Sequence, residues 1–233
     1  MNSGKNTPSI DPSWKGVIKW GGLSLLVSGA IAVLFFVLVF ATQQTLPVPA
    51  EEALEAPLGP SALFTLAVIG EVLLLPSGLA LYFALKGVKK TPMFMATALW
   101  VLCVPMFLAS RGQIIAISQI SSRYLDTTNE TMRASYLASA ELALEIQNLY
   151  AMMGLILLSV ASIIIGIVML KGKEVFGKRI GYVVIGAGAF TLFGAISVNM
   201  EEVPIIFPII GVILSAVWQV VVGAKLYKLG KDV

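Results

Sequence analysis

Six apolar runs, each long enough or nearly long enough to cross hydrocarbon, recur along the chain. They lie at about Gly16–Ala41, Ser61–Leu85, Pro92–Ile120, Leu142–Leu170, Ile180–Val198 and Pro204–Leu226. A bilayer core about 30 Å thick needs roughly 20 helical residues. Inside it every backbone N–H and C=O must be bonded, which leaves only helices or closed barrels. Runs of this length specify helices. The expected fold is therefore all-α, a polytopic membrane protein with six transmembrane helices. Composition points the same way: 58% of residues are hydrophobic and 12% charged, and mean hydropathy is +0.90, far from a soluble domain. No polar stretch between the runs is long enough for a separate soluble domain. Residues 1–13, polar and rich in Pro, Ser and Asn, read as a flexible cytoplasmic tail, and 14–233 as one membrane domain.

Charge sets the expected orientation. With six crossings and a cytoplasmic N-terminus, Lys5, Lys15, Lys19, Lys86, Lys89, Lys90, Lys171, Lys173, Lys178, Arg179, Lys225, Lys228 and Lys231 all fall inside. Only Arg111, Arg123 and Arg133 fall elsewhere, and the positive-inside rule acts on far smaller asymmetries. Both termini are expected to be cytoplasmic. Glu51, Glu52, Glu55, Glu201 and Glu202 fall in outer connections. The formal charge of +3 follows from this topology rather than from nucleic-acid binding, because the lysines are split among four inner segments. The lipid bilayer is the expected partner. The first run exceeds an ordinary signal-peptide core, and the Val48-Pro49-Ala50 triplet lies too far beyond it, so a retained helix is expected.

Local signals mark the ends of the helices. Trp14 and Trp20 bracket the inner edge of the first span as aromatic anchors. Leu85-Lys86-Gly87, Leu170-Lys171-Gly172 and Lys228-Leu229-Gly230 read as helix ends with a lysine on the dipole and a left-handed glycine cap. Four prolines between Gln43 and Pro60 argue against a regular element there. Thr127 through Glu130 fits a capping box with Thr127 as N-cap, so the fourth span should start as a helical extension on the outer side. Asn129-Glu130-Thr131 is also a glycosylation sequon. Gly181, Gly188 and Ala195 form a small-residue face on the fifth span. Ser159, Ser162 and Gly166 do so on the fourth, and Gly211 and Ser215, continued by Gln219, on the sixth. Such faces let helices approach closely, within one chain, in a homo-oligomer or with another membrane protein.

Two ionisable residues interrupt the apolar runs. Glu71 and Arg111 fall at roughly 15 and 13 Å below the outer surface on neighbouring antiparallel spans. A charge at such depth costs on the order of 3 kcal/mol on insertion scales, so pairing is expected. One reading is a polar pocket opening outward, with Arg111 holding an anionic group and Glu71 a proton or cation. Gln113, Asn148, Asn199 and Gln219 are the candidate polar companions. The other is a structural pair fixing the register of the two spans, or an Arg111 that snorkels outward beside a protonated Glu71. Pro76 and Pro105 stand close to the two charges, where each can bend its helix.

Catalytic and cofactor signatures are absent. The chain has no histidine, which excludes histidine-ligated haem and histidine-bound metals within it; no cofactor is predicted. Cys103 is alone, so no intramolecular disulfide forms. Glu141 and Glu145 share a helix face that is expected to be solvated. No nucleophile, phosphate loop or metal motif appears, and no enzymatic activity is expected.

Gly166-Ile167-Val168-Met169-Leu170-Lys171, Lys178-Arg179-Ile180-Gly181-Tyr182 and Trp218-Gln219-Val220-Val221-Val222-Gly223, with a charge at Arg111, resemble a family of bacterial and archaeal multi-pass proteins catalogued as a domain of unknown function. The resemblance implies six helices in a plasma membrane and brings no activity or catalytic residues. The leading expectation is a structural or accessory subunit of a membrane complex. The alternative is a small transporter or ligand-binding membrane protein using Glu71 and Arg111.

Overall fold

A computed structural model describes residues 12–41, 49–55, 62–172, 175–197 and 206–232. Among these residues, a 3-10 turn at Pro12–Trp14 is followed by eight helices. They are α1 (Lys15–Ala41), α2 (Ala50–Glu55), α3 (Ala62–Val72), α4 (Leu74–Leu85), α5 (Lys90–Asp126), α6 (Glu130–Lys171), α7 (Lys178–Ser197) and α8 (Ile206–Asp232). There is no strand among the described residues. Six stretches are long and apolar enough to cross a membrane, with α3 and α4 together forming the second. The tail proposed for residues 1–13 lies outside the described residues up to position 11, and Pro12 and Ser13 join the 3-10 turn.

The six spans stand in a ring in chain order. Each packs on its sequence neighbour, and α8 closes the circle against α1. Short connections between antiparallel helices favour this simple order. One end of the ring gathers the lysines: Trp14 stacks on Phe83 at 3.8 Å, Lys86 lies over Trp14, and Lys225 Nζ donates to the Phe176 carbonyl at 3.1 Å. Trp20 is exposed on the rim nearby. The interior next to this end is solid. Trp100 of α5 meets Trp218 of α8 edge to face at 5.7 Å, with Leu81, Val222 and Leu226 packed around them.

The small-residue faces do the packing that their composition allows. A Cβ at Gly188 would fall 2.8 Å from the Ser159 carbonyl oxygen, and one at Gly211 2.7 Å from the Thr191 nitrogen. These faces are therefore occupied by the chain's own helices. The stripe on α8 divides. Gly211 and Ser215 face α7, with Ser215 Oγ 3.2 Å from Thr191 Oγ1, whereas Gln219 lies beside Gly29 of α1.

Several local expectations need correction. The prolines do not keep 43–60 irregular throughout: Ala50–Glu55 forms α2, because Ala53 and Leu54 can be buried against α5 and α6. Ser121 Oγ fixes that docking by donating to the Leu54 carbonyl at 2.5 Å. The N-cap of α6 is Asn129, not Thr127. Asn129 Oδ1 accepts from the N–H groups of Thr131 and Met132 at 3.0 and 3.3 Å, while Thr127 Oγ1 accepts from the Asn129 N–H. Asparagine is the stronger cap, and it places Glu130 in the first helical position. The glycine caps are not left-handed: Gly172 has φ −93°, Gly87 is not among the glycines with positive φ, and α8 runs on through Gly230. Gly230 is needed for closeness instead, since a Cβ there would lie 2.6 Å from the Lys19 nitrogen.

Candidate functional site

The second span lacks one helical hydrogen bond next to Glu71, because Pro76 has no N–H to offer the Val72 carbonyl. Leu73, between α3 and α4, keeps helical dihedrals, and its N–H still donates to the Ile69 carbonyl at 3.0 Å. Neighbouring side chains support the carbonyls that follow. Ser77 Oγ donates to the Leu73 oxygen at 2.6 Å, and Trp100 Nε1 donates to the Leu74 oxygen at 2.8 Å. The indole crosses over Gly78, where a Cβ would fall 2.6 Å from Trp100 Cδ1. Pro105 leaves its helix unbroken, and α5 continues through it.

Glu71 and Arg111 are paired. Arg111 Nη2 lies 2.8 Å and Nε 2.9 Å from the same carboxylate oxygen, Oε1. The other oxygen, Oε2, is buried and has no hydrogen-bond partner. Arginine carries five N–H donors; three of those on Arg111 are left uncommitted after these two bonds. Its guanidinium lies 5.9 Å from the centre of the Phe35 ring. Ser28 Oγ donates to the Gly70 carbonyl at 2.9 Å, tying α1 to α3 beside the pair.

The pair opens onto a cavity of about 430 Å³ inside the ring, above the tryptophan contact and away from the lysines. Its volume falls within the range of small-molecule sites, which are mostly apolar with a few convergent polar groups. Phe35, Phe107, Leu155 and Val212 supply apolar wall. Ser28, Ser110, Gln147 and Gln219 supply polar wall beside the pair. Helices α1, α3, α4, α5, α6 and α8 all contribute, and α7 packs outside. Three of the lining groups carry a buried acceptor without a partner: Glu71 Oε2, Gln147 Oε1 and Gln219 Oε1. Gln219 as a whole is only 6% exposed. A buried acceptor left unmade costs about 1–3 kcal/mol, and all three belong to residues that line this cavity.

The sequence-predicted companions separate. Gln219 lines the cavity; Gln113 is half-buried and does not; Asn148 is exposed; Asn199 lies outside the described residues. Gln147 is the residue that sequence reasoning missed. It lies on one wall with Ala151 and Leu155 at helical spacing, but the phase of the Ser159, Ser162 and Gly166 face did not point to it, because that face packs on α7 and Asn148 lies closer to its phase. Glu141 and Glu145 are exposed. No group of three or more metal-binding side chains is assembled among the described residues. Cys103 is buried, with its Sγ 3.0 Å from the Trp100 carbonyl oxygen. No family model, curated protein or solved structure matches the chain.

Proposed function

We propose that the chain is a cell-membrane protein that binds or carries a small amphiphilic ligand in the cavity beside Glu71 and Arg111. In this reading both termini face the cytoplasm, in keeping with the lysine distribution. The cavity then lies in the outer half of the bundle, and the α5–α6 hairpin extends beyond the outer surface with α2 packed on it. At 1.5 Å per residue the 42 residues of α6 span about 63 Å, roughly twice the hydrocarbon thickness.

The observation that carries the reading is a cavity of about 430 Å³ lined by the Glu71–Arg111 ion pair together with Gln147 and Gln219. A purely structural or accessory role explains the ion pair as a register device but gives no reason for the hollow or its unmet acceptors. The chemistry on offer is hydrogen bonding and charge complementarity, which supports a role in binding or transport.

Cysteine accessibility tests the site directly. In a Cys103→Ser background, Ala151→Cys lines the cavity and Ala161→Cys is fully buried outside it. A membrane-impermeant maleimide added outside should label position 151 and spare position 161. Equal protection of both would remove the outward-opening cavity and with it this reading.

A further inference from the structure

We infer that the lysine end of the α1–α8 seam holds the headgroup of an anionic phospholipid between Lys19 and Lys231, at a site separate from the cavity beside Glu71. The two helices approach closely there. A Cβ at Gly22 would fall 2.5 Å from the Tyr227 nitrogen, and one at Gly230 2.6 Å from the Lys19 nitrogen. This approach brings both lysines to one aromatic ring: Lys19 Nζ lies 6.0 Å and Lys231 Nζ 4.9 Å from the centre of Tyr227. Lys19 Nζ is also 5.6 Å from the Trp20 ring. Two like charges thus share one ring, and no carboxylate pairs with either among the described side chains. Lys225, one turn earlier on α8, instead finishes on the Phe176 carbonyl. The pair at Tyr227 lacks an anion.

The surroundings make that anion a lipid. Trp20 is 62% exposed at the end of a span, where indoles sit at headgroup level. The face of α8 that carries Lys231 continues along the bundle as apolar surface. Ile213 lies about five helical turns before Lys231 at the same angle, Val217 is beside that line, and both are half-exposed. Acyl chains can follow this strip while the phosphate takes charge-assisted hydrogen bonds from the two ammoniums. Basic pockets between transmembrane helices hold anionic headgroups in this way. Net charge then selects among lipids. A phosphatidylcholine head also offers a phosphate but brings its own cation against two ammoniums, whereas phosphatidylglycerol brings none. The site requires only that the lysine end lie at a bilayer surface, and it stands whether or not the cavity holds a ligand.

The test compares those two headgroups. Full-length protein is reconstituted in nanodiscs of equal phosphatidylglycerol and phosphatidylcholine, and the ratio of retained lipids is read by native mass spectrometry. The parent should retain phosphatidylglycerol in excess. Lys19→Gln and Lys231→Gln should each lower the ratio about fivefold, the attraction of one basic residue at an anionic surface, and the double variant should abolish the preference. Lys89→Gln/Lys90→Gln removes the same charge from exposed residues at the start of α5, at the same end of the bundle, and should leave the ratio unchanged. An equal fall in the two double variants reduces the effect to the diffuse field of the lysines and overturns the site. Equal retention of both lipids by the parent overturns it as well. Glycerol 3-phosphate, which carries the anionic phosphate without chains, is titrated calorimetrically in detergent. Silence there supports a lipid, whereas binding that is lost in the Lys19→Gln/Lys231→Gln variant assigns the site to a soluble anion and overturns the lipid. Maleimide labelling at position 151 reads the cavity separately, so the failure of either proposal is distinguishable from that of the other.

Discussion

The two halves of the ring use similar residues and reach opposite outcomes. Next to the lysines, buried polar groups mostly turn back on backbone. Ser77 Oγ bonds Leu73 O, Ser159 Oγ bonds Leu155 O, Ser162 Oγ bonds Leu158 O, and the Trp100 indole bonds Leu74 O. Two groups there, Thr97 Oγ1 and Trp218 Nε1, stay unpartnered, and neither residue lines the cavity beside Glu71. Elsewhere on the same helices, Glu71, Gln147 and Gln219 line the cavity, and each keeps a buried oxygen without a partner. A short hydroxyl can return to its own helix, whereas a longer amide or carboxyl reaches past it. The lower half is built for packing, and the upper half is left incomplete.

Trp100→Ala should break this contrast most severely. It removes a fully buried indole, opens the floor of the cavity and takes the indole donor from the Leu74 carbonyl. The expected loss is about 3–5 kcal/mol, read as a large fall in thermal stability in detergent. A small effect would mean that the lower half is as loosely filled as the upper. Arg111→Leu alone comes next. It leaves both oxygens of Glu71 without the guanidinium and should cost about 3 kcal/mol. Replacing both partners, Glu71→Leu with Arg111→Leu, should return stability to within about 1 kcal/mol of the parent. If the single variant is fully tolerated, water already solvates Glu71 and the upper half is wetter than its apolar walls imply.

The lower half was far more legible in the sequence than the upper. Apolar run length pointed to the six spans because hydrocarbon permits only helices or closed barrels, and runs of about 20 residues suit helices. Small-residue periodicity found the seams of α6, α7 and α8 because close approach requires residues without bulk. Glu71 and Arg111 stood out because charge in an apolar run is rare. What escaped was rotational phase on α6: Gln147 and Asn148 are adjacent in sequence, yet one lines the cavity and the other is exposed. Composition cannot separate neighbours 100° apart on a helix. Helix α2 escaped for another reason. Its prolines act outside Ala50–Glu55, and its stability comes from Leu54 and Ala53 docking on a hairpin that local sequence does not show.

The smaller effects sharpen the comparison because their signs differ. Gln219→Leu removes a buried acceptor that nothing satisfies and keeps most of the side-chain volume. It should stabilise the ligand-free protein by about 1 kcal/mol, the lower edge of the cost of an unmade bond. Ser162→Ala, in the packed half, removes a hydroxyl that only doubles an existing helix bond. It should change stability by less than about 0.5 kcal/mol. Chemical or thermal unfolding of the two variants side by side measures the difference. If Gln219→Leu is instead destabilising, its acceptor is already satisfied in solution and the two halves no longer differ in kind. If it stabilises the empty protein while weakening ligand retention, Gln219 belongs to the class of residues whose presence lowers stability because binding requires them.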